Sequence, residues 1–127
     1  MTTHHDREIL EAMHAEQLRL HGGATGLRDE GMLESALNRP LQKEAYGTPD
    51  IFELAAAYLF GLVKNHPFID GNKRTGYIAA DVFLFLNGWS VEADQQDIIA
   101  FVLGVAAGEI DETGAAMFFK DHCIPVE

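Results

Sequence analysis

The alternation of apolar and polar positions along this chain is helical almost throughout. In Ile51-Phe-Glu-Leu-Ala-Ala-Ala-Tyr-Leu-Phe-Gly-Leu-Val63, apolar residues recur at 51, 54, 55, 58, 59 and 62, one face at a period of 3.6. Asp50, or Thr48 before Pro49, can cap the start of this helix. Pro67 disfavours α geometry at His66, so the helix ends near Asn65. From about Asn72 to Asn87 the chain is apolar nearly all round, which predicts a central buried helix stopped at Asn87-Gly88. Asp94 can cap a helix carrying Ile98, Ile99, Val102 and Val105, stopped by Gly108. Asp111 or Thr113 can cap a last helix with Met117, Phe118 and Phe119. Toward the N-terminus, Asp6 to about His21 carries Ile9, Leu10, Met13 and Leu20 and stops at Gly22-Gly23. A shorter helix, about Gly31 to Asn38, ends before Pro40. Only Trp89 to Glu92 looks extended. There is no repeat, low-complexity segment or linker. The pattern predicts a compact all-α fold of six helices, one domain spanning residues 1–127.

Composition narrows the function classes. A chain of 127 residues is long enough to bury a core without staples, and 47% hydrophobic residues is ordinary for a globular protein. Twenty acidic against nine basic residues give a net charge of -11, which argues against direct nucleic-acid binding. The single cysteine, Cys123, allows no internal disulfide and fits a reducing, cytoplasmic setting. The start, MTTHHDREIL, lacks the cationic and apolar stretches of a signal peptide. The longest mainly apolar run, Tyr77 to Leu86, contains Asp81 and is too short for a membrane span. His4, His5, His14 and His21 read as ordinary surface residues, and His122 with Cys123 has no matching ligand set for zinc.

Against that acidic background the stretch Asn65-His-Pro-Phe-Ile-Asp-Gly-Asn-Lys-Arg-Thr-Gly76 stands out. It joins two helices and places two cations at the start of the second. The first turn of a helix has backbone N–H groups without intrahelical acceptors, and its dipole favours anions. Gly71 lets an anion approach the backbone, Asn72 can donate its side-chain amide, and Lys73 and Arg74 add full charge. Cations there oppose the dipole by a few tenths to about 1 kcal/mol each, a cost that makes sense if a phosphate occupies the site. Asp70 supplies a hard oxygen ligand for Mg²⁺. An imidazole titrates near working pH, so His66 can act as a general base. Phe68 reads as an aromatic peg and Pro67 as a backbone constraint. A base, a metal ligand and a phosphate cradle in one loop are the parts needed for phosphoryl or nucleotidyl transfer.

The run His66-Pro67-Phe68-Ile69-Asp70-Gly71-Asn72-Lys73-Arg74 resembles the signature of the Fic/Doc superfamily, and specifically its Doc (death-on-curing) branch. Fic enzymes carry H-P-F-x-[DE]-G-N-G-R-x-x-R. Here Lys73 stands at their second motif glycine and Tyr77 at their second arginine, and both departures point to Doc. Gly26-Leu-Arg-Asp-Glu-Gly-Met-Leu-Glu-Ser-Ala-Leu-Asn-Arg-Pro40, Leu54-Ala-Ala-Ala-Tyr58 and Phe85-Leu-Asn-Gly88 extend the likeness over nearly the whole chain.

The resemblance implies an all-helical Fic fold and the toxin of a toxin–antitoxin module. Fic enzymes move the AMP part of ATP onto a protein hydroxyl. Doc proteins move the terminal phosphate onto a threonine of elongation factor Tu and so stop translation. Carried onto this chain, His66 deprotonates the target hydroxyl, Asp70 holds Mg²⁺, and Gly71, Asn72, Lys73 and Arg74 hold the phosphates of ATP. Lys73 fills the room a glycine would leave and offers a competing cationic contact, which would let ATP lie reversed. Many Fic proteins block themselves with [ST]-x-x-x-E-[GN]. No Ser or Thr here has Glu four residues on, Thr25 leading only to Asp29. The implied restraint is a separate Phd-like antitoxin whose tail folds on binding, docked on apolar positions of the first helices or the last. Residues 23 to 33 read either as a flap over the target segment or as a turn in which Arg28-Asp29 forms an ion pair or cap. Three readings remain: a Doc-type protein kinase, a Fic-type AMP transferase, and a binding protein with an inactive site.

Overall fold

Capping aspartates set most of the helix starts. The computed structural model describes all residues 1–127, with six helices: α1 (Arg7–His21), α2 (Glu30–Ala45), α3 (Ile51–Asn65), α4 (Asn72–Leu86), α5 (Gln95–Ala106) and α6 (Glu112–His122). Asp6, Asp29, Asp50 and Asp111 each accept a backbone N–H three residues on, at 2.7–3.0 Å, so each of these helix starts has one of its free donors capped. Asp94 and Gly71, which precede α5 and α4, make no such bond.

The most buried helix is α3, and α2, α4 and α6 pack along it. Two glycines let backbones come close. A Cβ on Gly61 would lie 3.3 Å from Ala36 Cα of α2. One on Gly76 would lie 3.1 Å from Val63 Cγ2 and 3.4 Å from the Leu59 carbonyl oxygen. The second contact draws the first turns of α4 against the end of α3, which sets the two sides of the loop between them. The main apolar cluster joins α3, α4, α5 and α6. A smaller one, around Leu10, Leu33, Leu37, Leu62 and Ala79, joins α1 and α2 to the others and takes in Phe68 from the loop. Helix α4 lies between α1, α3 and the short strand that follows it. Its last turn surfaces, leaving Phe85 and Leu86 half exposed.

Three expectations need correction. Helix α2 begins after Asp29 and runs past Pro40 to Ala45 instead of ending before the proline. Leu33, Ala36, Leu37 and Pro40 form one buried stripe against α3, and that packing outweighs the hydrogen bond the proline cannot make. The extended segment is not isolated: β1 (Trp89–Val91) pairs antiparallel with β2 (Cys123–Pro125), Ser90 opposite Ile124. Two three-residue strands are too short to show an alternating pattern. Finally, of the four N-terminal histidines only His21 is exposed as expected. His5 is buried, with Nε2 donating to the Ala79 carbonyl at 2.8 Å. His4 bridges the Tyr58 hydroxyl and Glu44 at 2.9 and 2.8 Å. His14 is buried under the loop described below.

Ion pairs lock the periphery. Arg7 reaches Glu30 and Glu34, both at 2.7 Å, tying α1 to α2. Arg39 and Lys43 hold Glu112, tying α2 to α6. No helix is long and apolar enough to cross a membrane.

Candidate functional site

His66 closes α3 in the left-handed conformation, φ 51° and ψ 54°, and no other non-glycine residue has positive φ. Its side chain is exposed and has no hydrogen-bond partner within the protein. After it the chain dives inward. Pro67 and Phe68 are buried, and the Phe68 ring stacks on His14 with centroids 3.7 Å apart and planes 7° off parallel. His14 Nε2 donates to the Asp70 carbonyl at 2.8 Å, so α1 supports the loop from below twice over. The spacing could have revealed this: His14 and Gln17 follow Leu10 at four and seven residues, on the buried face of α1.

Asn72 is buried, and its amide is fully engaged. Nδ2 donates to the Phe68 carbonyl and Oδ1 accepts from the Phe68 N–H, both at 2.9 Å. The side chain expected to donate to a phosphate instead clamps the loop, leaving the backbone N–H of Asn72 for any anion. Asp70 is exposed. Its Oδ1 accepts from Gly71 N–H at 2.8 Å and its Oδ2 from Ala24 N–H at 3.3 Å. These backbone donors, Gly71 first and Ala24 next, hold its carboxyl below the usual carboxylate range, so it is ionised at neutral pH.

Gly71, at φ 78°, precedes α4 without a side chain to cap it. Thr75 N–H reaches the Gly71 carbonyl, while the N–H groups of Asn72, Lys73 and Arg74 have no acceptor in the protein. Lys73 and Arg74 are exposed on the same turn. Of the nine cations, they and Lys120 are the three with neither ion pair nor hydrogen bond. Open donors, free cations and no capping carboxylate make this helix start able to take an anionic ligand. One turn on, Tyr77 packs against the main cluster, and burial raises its hydroxyl, with Asp81 adding to the effect. Asp81 is half-buried without a hydrogen-bond partner, and burial raises its carboxyl.

The segment before α2 lies across the loop. Leu27 and Phe68 form an antiparallel bridge, Ile69 N–H donates to the Gly26 carbonyl at 3.1 Å, and the N–H groups of Arg28 and Asp29 both reach the Pro67 carbonyl. The expected stretch 23 to 33 is therefore extended only up to Asp29, and α2 takes the rest. Gly23 fits closely: a Cβ there would lie 2.8 Å from Asp70 Oδ2. Arg28 does not pair with Asp29. It donates from Nε to the His66 carbonyl at 2.6 Å and from Nη2 to the Asn65 carbonyl at 2.8 Å.

Thus the loop leaves His66, Asp70, Lys73 and Arg74 exposed, while Pro67, Phe68 and Asn72 form its buried underside. A model of the Fic/DOC family matches residues 4–84. The chain belongs to the Fic/Doc family. It is 35% identical over 114 residues to the protein kinase Doc of Escherichia phage P1, covering 89% of this chain and 90% of that protein. It is 41% identical over 97 residues to the toxin Doc of Mycolicibacterium smegmatis, covering 74% of this chain and 72% of that one. A solved structure with the same fold is the N-terminal Fic domain of a VirB-translocated Bep effector protein from Bartonella quintana, with bound ADP. Its TM-score is 0.52 at 17% identity over 77% of this chain, which spans about half (48%) of that structure.

Proposed function

We propose that this chain is a Doc-type toxin that moves the γ-phosphate of ATP onto a threonine or serine hydroxyl of a translation factor, similar to elongation factor Tu, and so arrests translation. The observation that carries the reading is the first turn of α4. Three backbone N–H groups lie open there, flanked by the unpaired Lys73 and Arg74, one loop away from the exposed His66. The likeness to a protein kinase Doc and a toxin Doc supports the same class, a Fic/Doc-type transferase that uses a nucleotide.

In this reading the phosphates of ATP bind the Asn72, Lys73 and Arg74 N–H groups at the close approach Gly71 allows. Lys73 and Arg74 neutralise their charge. The His66 imidazole takes the proton of the target hydroxyl, whose oxygen attacks the γ-phosphorus. The bond from that phosphorus to the β–γ bridging oxygen breaks and ADP leaves. Asp70, ionised and exposed, fits a Mg²⁺ ligand. No three His, Cys, Asp or Glu side chains cluster to form a protein cage, which suits an ion that keeps waters and is shared with phosphates. When bound, Mg²⁺ would neutralise charge between the phosphates. Apolar side chains exposed on the outer helices, among them Ile9, Leu20, Met32 and Met117, suit a Phd-like antitoxin whose tail folds on binding.

The test is purified protein with Mg²⁺, cell extract and ATP labelled at either the α or the γ phosphate. Label moving into protein from the γ position alone supports the kinase, and label from the α position makes the chain an AMP transferase. Expression alone should arrest growth, and co-expression of a short neighbouring gene product should relieve it. Arrest by His66→Ala at equal abundance would instead favour toxicity by binding.

A further inference from the structure

We propose that Arg28 is a positioning residue that fixes the His66 backbone, and through it the aim of the imidazole. The proposal rests on the reading of His66 as the base. A left-handed backbone is unfavourable for a residue with a Cβ, and a following proline disfavours helical geometry further. His66 adopts it nonetheless, with its own N–H held only by a long 3.3 Å bond to the Leu62 carbonyl. The hold comes from the carbonyl side. Three successive carbonyls, Asn65, His66 and Pro67, all accept from Arg28, and Pro67 accepts from Asp29 as well. The guanidinium also sits at the C-terminal end of α3, where the helix dipole favours a cation. Its direction is fixed because the backbone on either side is paired with the loop, through the Leu27–Phe68 bridge and the bonds to Pro67.

The arrangement matters because nothing else aims the ring. Catalytic histidines are commonly oriented by a carboxylate or carbonyl on the far ring nitrogen. His66 has no such partner, so its orientation depends on its backbone. A lysine at 28 could supply a charge but only a point donor, whereas the arginine fork serves two carbonyls at once. Arg28 thereby couples the segment over the loop to the base, as Ala24 couples it to Asp70.

The experiment compares the full chain with Arg28→Lys and Arg28→Ala by two readouts. The first is NMR of the labelled protein, following the backbone carbon shifts and the HN–Hα coupling of His66, which report φ. The second is label transfer from γ-labelled ATP into cell-extract protein, with ATP affinity measured by calorimetry. In Arg28→Ala, His66 should leave the left-handed region and transfer should fall about 10²-fold, as expected for a misaimed group, while ATP affinity stays within about twofold. Arg28→Lys, which keeps one donor and the charge, should be intermediate in both. A His66 whose shifts and coupling are unchanged in Arg28→Ala overturns the proposal. So does lost transfer explained by lost ATP affinity. If the wild type itself transfers no label, the reading of His66 as a base fails, and the NMR comparison still decides whether Arg28 sets its conformation.

Discussion

Replacing Asn72 with alanine should destabilise the protein even though Asn72 lies in the turn proposed to bind phosphate. The side chain is 3% exposed and makes two hydrogen bonds to one residue, to the Phe68 N–H and to its carbonyl. Alanine removes both partners and leaves two backbone groups unmatched beside a buried ring. Each unsatisfied buried group costs about 1–3 kcal/mol, so the pair costs about 2–6 kcal/mol if both stay dry. An unfolding entropy of about 2.1 cal/mol/K per residue gives about 270 cal/mol/K here, so Tm should fall by about 7–22 °C. Asparagine to aspartate tests the geometry more finely. It keeps the acceptor for Phe68 N–H, but sets a carboxylate against the Phe68 carbonyl and so should also lower Tm. Lys73→Ala is the control: it is exposed and unpartnered, so Tm should stay within about 2 °C, matching the roughly 0.5 kcal/mol of ordinary surface changes. Thermal unfolding followed by circular dichroism measures all three. An Asn72→Ala protein melting within about 2 °C of wild type would refute the clamp and return the side chain to the phosphate site.

Four other outcomes are expected. His66→Ala should lower transfer by about 10²–10⁴-fold with little change in Tm, measured at saturating ATP and target. Lys73→Gly should lose γ-phosphate transfer and gain traces of AMP transfer, and full kinase activity in it would deny Lys73 any role in nucleotide orientation. Gly23→Val should disturb Asp70 directly, since the new Cβ would lie 2.8 Å from its Oδ2 at a backbone φ of 125° that valine avoids. A higher Mg²⁺ concentration needed for transfer, or loss of transfer, is the readout. His5 should make stability pH-sensitive: burial chiefly lowers its pKa from 6.5, so the unfolded chain binds the proton more readily. Stability should be full above about pH 6.5 and fall as pH drops below it, while His5→Gln should lose less over the same range in pH-dependent melting.

What the sequence displayed, and what it hid, divides along a physical line. Periodicity and caps read from single helices placed α1, α3, α5 and α6 closely, because an apolar stripe and a capping aspartate are local properties. The loop from His66 to Arg74 was visible as chemistry for the same reason: its residues are adjacent. Failures came where a neighbour decides. Pro40 lies inside α2 because α3 covers that face. His5 and His14 are buried because α4 and the loop close over them, with carbonyls of Ala79 and Asp70 to receive their N–H groups. Asn72 and Arg28 were legible as polar residues near the site, but their partners are backbone atoms, which no residue type announces.

That last point bears on how such a site keeps its shape. The groups read as reactive, His66, Lys73 and Arg74, are exposed and unpartnered, as they must be to meet a ligand. Side chains so free cannot fix one another. The order is supplied instead from beneath and behind, by Phe68 on His14, Asn72 on Phe68 and Arg28 on the end of α3. The last two act on the backbone of residues 65 to 72 directly, and the first anchors it through a side chain. The contrast with the other helices follows from this. Where Asp6, Asp29, Asp50 and Asp111 open their helices, the cap side chain takes one first-turn donor. At α4 the cap is a glycine, and the loop that precedes it must be held by something other than the cap. A carboxylate introduced at Gly71 would help satisfy the turn but occupy the proposed anion position, and φ of 78° would strain its backbone. Stability and open donors therefore compete at this one helix start, and the underside of the loop is what lets the chain keep the donors open.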